Sequence, residues 1–174
     1  MSRDYDFCGW ATKCDLKCAD NRIIRKDAFK GNDGNIVPLV WNHDHNDPGN
    51  VLGHALLENR DEGVYFYGSF NDTTAGVNAK GLVQHGDVTS VSIYANKLKQ
   101  NGNDVVHGVI REVSLVLAGA NPGAKIEYVI EHDGYDDDEA VIIHTEDPEL
   151  SCYHTATNAS EPPTPKKPRT KNKK

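Results

Sequence analysis

Val88-Thr89-Ser90-Val91-Ser92-Ile93-Tyr94-Ala95-Asn96-Lys97-Leu98 is one of the two longest stretches of apolar–polar alternation in the chain; the other runs from Val105 to Leu117. Between them lies Gln100-Asn101-Gly102-Asn103, whose Asn-Gly pair suits a tight hairpin. A period of two sends successive side chains to opposite faces, so each run predicts a strand with one buried face. Working outward, Val51–Leu57 and Val64–Phe70 repeat the pattern around the turn Asn59-Arg60-Asp61-Glu62-Gly63. Ile36-Val37-Pro38-Leu39-Val40-Trp41 predicts a further strand, its proline suited to an edge or a strand start. Phe7–Ala11 and Ile126–Ile130 would be a sixth and a seventh. The one convincing helix runs from Thr73-Thr74-Ala75 to His85, with a Thr cap ahead of Ala75, Val77, Ala79, Leu82 and Val83 and Gly86 as its stop. Six or seven mostly antiparallel strands with one or two helices predict a mainly β fold, a small closed or half-closed barrel, which also removes exposed edges.

The chain has 174 residues, with 19 basic and 26 acidic side chains and a net charge of -7. That length suits a single core without disulfide staples. The acidic balance excludes bulk nucleic-acid binding, which wants a basic face. No apolar run approaches the roughly 18 residues of a membrane span, and residues 1–20 are too charged for a signal peptide. The expectation is a soluble protein that is not secreted and does not engage a membrane. Charge is unevenly spread: residues 131–149 hold nine acids and no Lys or Arg, whereas Lys166, Lys167, Arg169, Lys171, Lys173 and Lys174 follow the last acid, Glu161. Such blocks bury too little apolar surface to offset ordering entropy. Residues 1–130 are therefore read as the folded domain, 131–160 as an acidic segment ordered in part at most, and 161–174 as a basic disordered tail. Val141-Ile142-Ile143 would add a short strand or helix turn to the body. Cys8, Cys14 and Cys18, with five and three residues between them, form no Cys-x-x-Cys pair and read as reduced thiols.

Three polar groups stand out from the strand pattern. In Trp41-Asn42-His43-Asp44-His45, alternation places His43 and His45 on one face and Asp44 on the other. A His-x-His pair also admits a metal reading, with His54 or a carboxylate as third ligand. In Thr89-Ser90-Val91-Ser92-Ile93, Ser90 and Ser92 share a face opposite Val91, Ile93 and Ala95. They are either solvated serines or a nucleophile carried on a strand, since the chain has no Gly-x-Ser-x-Gly elbow. In the last long run Val109, Val113, Leu115 and Leu117 form an apolar face, and Glu112 and Ser114 share the other with Ile110 and Val116. A glutamate in such company is paired, as in a cross-strand salt bridge, or shifted in pKa. Together the groups supply a hydroxyl, a histidine to take its proton, and an acceptor to orient the imidazole.

Val37-Pro38-Leu39-Val40-Trp41-Asn42-His43-Asp44, Gly86-Asp87-Val88-Thr89-Ser90-Val91-Ser92-Ile93, Arg111-Glu112-Val113-Ser114-Leu115-Val116 and Ala120-Asn121-Pro122-Gly123-Ala124 resemble, in that order, blocks of the prohead (capsid maturation) serine proteases of tailed phages. The resemblance covers roughly residues 5–130 and implies the Greek-key β-barrel shared with herpesvirus assemblin. It implies a serine endopeptidase that cleaves scaffold, or a scaffold-like segment of the major capsid protein, inside the immature prohead in the host cytoplasm, with self-cleavage. It assigns His43 as general base, Ser92 as nucleophile and Glu112 as third member, where assemblin has a second His. It requires no metal or organic cofactor and no specific nucleic acid, and assemblin-like enzymes suggest a homodimer. One departure is Tyr94, where the family often has Gly two residues after the nucleophile; it keeps Ser90 in view as an alternative. Arg111 and the backbone around Ala120-Asn121-Pro122-Gly123 are candidate oxyanion donors. Two other readings compete: a non-enzymatic shell or scaffold component with an inactive barrel, and a His43/His45 metallohydrolase.

Overall fold

A computed structural model describes residues 5–131 and 141–144. Each predicted alternation becomes a strand: β1 (Phe7–Lys13), β3 (Ile36–Trp41), β4 (Val51–Arg60), β5 (Gly63–Phe70), β6 (Ser90–Asn101), β7 (Asp104–Val116) and β8 (Ile126–Glu131). Two more bring the count among the described residues to nine. One is the two-residue β2 (Ile23–Ile24), too short to leave a periodic signal; the other is β9 (Val141–His144), in the apolar patch of the acidic segment. The rest of that segment beyond Glu131, and the basic tail, lie outside the described residues.

The long β6–β7 hairpin is the axis of the fold. On one side of it the order runs β7-β3-β4-β5-β1-β8-β9. Most pairings are antiparallel, but β3 runs parallel to β7, with Leu39 opposite Val113, Val40 opposite Ser114 and Trp41 opposite Leu115. The short β2 is parallel to β7 as well. On the other side, the start of β6 meets the approach to β8: Ile126 N donates to Thr89 O over 2.9 Å and Val91 N to Ala124 O over 3.2 Å. These bonds close the sheet on itself and protect the edge where β6 begins.

The inward faces supply the core. Phe7, Leu39, Phe66, Val91, Val113 and Leu115 are fully buried, each worth about 1.5–3 kcal/mol relative to exposure. Phe7 stacks on Phe70 with ring centroids 4.8 Å apart and meets Phe66 edge-on. Helix α1 (Thr74–His85) begins and ends where its caps predict. Thr73 Oγ1 accepts from Gly76 N, and Gly86, at φ 84°, turns the chain left-handed to close the last turn. The helix buries Gly76, Ala79 and Val83. No helix among the described residues is long and apolar enough to cross a membrane.

One irregularity shapes the site. Tyr94 pairs with Glu112, yet the next β6 residue, Ala95, pairs with Ile110. Arg111 is thus an extra residue, a β-bulge that changes which side chains face inward. Simple alternation sets Ile110 beside Glu112 and gives Val109 to the core. In the structure Ile110 joins Val113 and Leu115 in the core, Val109 is only half-buried, and Leu117 is exposed.

Candidate active site

β3 ends at Trp41, and the following two residues leave the extended conformation. Asn42 and His43 have φ of 47° and 58°, left-handed values that Asn and His tolerate better than most residues. The expected strand continuation through His45 is therefore not formed. Asn42 N still bonds Leu115 O, keeping the turn against β7, and Asp44 N returns to Trp41 O. The loop beyond is braced by its own side chains. Asp44 accepts from Asn46 N and Asn50 Nδ2, and Asp47 caps Gly49 N of a short 3-10 turn, Pro48–Asn50.

This turn lowers both imidazoles onto one carboxylate. His43 Nδ1 lies 2.6 Å from Glu112 Oε1, and His45 Nε2 bonds Glu112 Oε2. Ser114 Oγ donates to Oε1 over 2.8 Å and accepts from His43 N over 3.0 Å. Glu112 is 3% exposed, so it depends on these donors. Burial alone would raise its pKa. The hydrogen bonds from His43 and Ser114 and the charges of the two histidines outweigh burial, and the carboxyl lies below its ordinary value. An ionised carboxylate only accepts, so the Nδ1 that His43 turns towards it carries a proton.

Ser92 stands directly across the ladder from Ser114, and Tyr94 across from Glu112. Opposed residues on one face lie about 5 Å apart at Cβ, so Ser92 belongs to the face that carries Glu112 and Ser114. It makes no direct hydrogen bond with His43; what the structure brings into contact is the histidine and the glutamate. Ser90 pairs with Val116, one step further from Glu112. Two clefts adjoin this strand. One of about 220 Å³ is lined by Ser92, with Ile93, Leu98 and Phe29 among its apolar walls. The other, about 460 Å³, is bordered by His45, Tyr94, Arg111 and Glu112.

Of the two oxyanion-donor candidates, Arg111 is exposed on the bulge and borders the His45 cleft. The Ala120–Gly123 turn is fixed by Asn121, whose Nδ2 donates to Thr12 Oγ1 and Lys13 O and whose Oδ1 accepts from Gly123 N. The loop passes so close to β6 that a Cβ on Gly119 would stand 2.5 Å from Val91 O. His54, offered as a third metal ligand, is exposed on β4 opposite Pro38 and Ser69. Among the described residues no three His, Cys, Asp or Glu side chains are arranged to hold a metal ion. Sequence reasoning gave no site role to Ser114 and treated His45 only as a metal ligand. Their signal was positional, since Ser114 lies two residues from Glu112 and His45 two residues from His43.

The architecture is that of a herpesvirus-type protease barrel. The structure is similar to that of KSHV protease in complex with a hexapeptide phosphonate inhibitor, with a TM-score of 0.53 and 16% identity, over 72% of this chain and 64% of that one. The match thus spans somewhat less than two thirds of the KSHV protein, and at that identity the likeness is one of fold. The family follows from the sequence itself: residues 8–137 match the caudovirus prohead serine proteases, and the chain belongs to that family. No curated protein matches the sequence.

Proposed function

We propose that the chain is the serine endopeptidase of phage head maturation, with Ser92 as nucleophile, His43 as general base and Glu112 as the acid that orients it. The observation that carries this reading is the 2.6 Å contact between His43 Nδ1 and Glu112 Oε1, on the face of the β6–β7 ladder that also bears Ser92. The register favours Ser92 over Ser90, which sits across from Val116 rather than from Ser114.

The chemistry follows from the free groups. Ser92 Oγ attacks a peptide carbonyl while His43 Nε2 takes its proton, and the resulting imidazolium is stabilised by Glu112. The same proton passes to the leaving amine, and water then hydrolyses the acyl-enzyme. The substrate is scaffold or the scaffold-like segment of the capsid protein, cut within the immature shell, with cleavage of the enzyme's own chain as a further event. Family membership and the barrel support this assignment.

Co-expression with the capsid and scaffold proteins of the same phage tests it. The native chain should convert one of them to a shorter product, and Ser92→Ala and His43→Ala should each abolish that product, the former by about 10⁶-fold in turnover. Processing that survives Ser92→Ala would overturn the assignment.

A further inference from the structure

The 2.6 Å pair of His43 and Glu112 uses only one oxygen of the carboxylate. Oε1 takes both His43 and Ser114, while Oε2 has one donor among the described residues, Nε2 of His45. Without that donor, a buried carboxylate would keep one oxygen unsatisfied and could turn about its terminal torsion to seek another partner.

We propose that His45 is a positioning residue: by holding Oε2 it fixes the plane of the Glu112 carboxylate and keeps Oε1 on Nδ1 of His43. The inference rests on the peptidase reading above and goes beyond it, because His45 reaches the reaction only through Glu112. Two further features build the clamp. Tyr94, the cross-strand partner of Glu112, places its ring 5.2 Å from the His45 imidazole at an interplanar angle of 59°. The loop carrying His45 is stiffened by Asp44 and Asp47 through their bonds to Asn46, Asn50 and Gly49. Tyr94 thus occupies, with a side chain that packs on His45, the position where the sequence resemblance led one to expect glycine.

The test compares two substitutions of similar bulk in the full-length chain. His45→Gln keeps an N–H donor for Oε2, and His45→Met has none. The first readout is the labelling of Ser92 by a fluorophosphonate probe, resolved into a maximal rate and a half-saturating concentration. Met should lower the maximal rate roughly tenfold to a hundredfold, part of the ~10²–10⁴ that a positioned base contributes. The half-saturating concentration should stay within about twofold, and Gln should restore most of the rate. The second readout needs no activity: in a Ser92→Ala background with ¹⁵N-labelled histidine, the His43 Nδ1–H proton should persist in the Gln variant and be lost in the Met variant. A Met variant that labels like the parent and keeps the proton overturns the proposal. So does a folded Gln variant that has lost it, which decides the matter even where Met prevents folding. Failure of the parent to label at Ser92 would count against the peptidase reading, and the proton signal would still decide the role of His45.

Discussion

Ser114 secures His43 by its backbone: its hydroxyl accepts the His43 amide at 3.0 Å while donating to Glu112 at 2.8 Å. The histidine it holds is in the left-handed region, φ 58°, a conformation that persists only where its surroundings enforce it. Ser114 is fully buried, and Ser114→Ala removes both of its bonds. It should destabilise the fold by about 1–3 kcal/mol, the cost of leaving buried polar groups without partners. Urea unfolding measures this, and an unchanged midpoint would show that the turn is held by other means.

Glu112→Gln keeps the shape and removes the charge. Its amide nitrogen must replace either Oε1, which takes His43 and Ser114, or Oε2, which takes His45, so two hydrogen bonds or one invert or break. On the proposed mechanism, a nitrogen at Oε1 offers His43 the wrong tautomer, and processing of the proposed capsid or scaffold substrate should fall by about 10³–10⁴-fold, the scale on which such triads respond to this change. A variant that processes within a few-fold of the parent would remove Glu112 from the mechanism.

The lowered pKa of Glu112 has a sign in stability. In the pH range between its folded and unfolded values, the unfolded chain binds the proton and the folded chain does not. Acidification through that range therefore favours unfolding, and the contribution of Glu112 is complete only above the unfolded carboxyl value of about 4.3. Urea midpoints of the parent and Glu112→Gln, measured in parallel from pH 7 down to pH 3, should converge as pH falls. A constant gap between the two curves would contradict the shift.

Gly119→Ala probes the loop that passes over β6. The added Cβ would stand 2.5 Å from Val91 O, a backbone atom that cannot rotate aside. The loop must move away from the strand one residue before Ser92. Probe labelling of Ser92 should fall at least about tenfold, more than 1.4 kcal/mol in the barrier, while the thermal midpoint shifts by only a few degrees. Equal loss of both would mean that the loop supports the barrel and not the site.

The strands that carry the site were readable because each buries one face and so obeys a period of two. Thr73 and Gly86 likewise marked the helix ends, since capping is a local bond that needs no knowledge of the rest of the chain. Three features escaped that logic. The parallel alignment of β3 with β7 joins segments about 75 residues apart and leaves no local trace. The bulge at Arg111 breaks alternation within a run that looks regular, which is why Ile110 and Val109 exchange places. The turn at Asn42 and His43 ends β3 early, and both imidazoles reach Glu112 from a loop instead of from a shared strand face. Asn42 was the available hint, as a residue tolerant of left-handed backbone just after a β-rich run.

The parallel ladder between β3 and β7 sets the moment at which the site comes into being. The imidazole of His43 leaves the ribosome some 70 residues ahead of the carboxylate of Glu112, with β4, β5, α1 and β6 between them. Long-range parallel pairing is also a slow event in folding. On the proposed reading, a nascent or half-folded chain therefore holds a hydroxyl and an unoriented histidine, and peptidase activity waits until the barrel is finished.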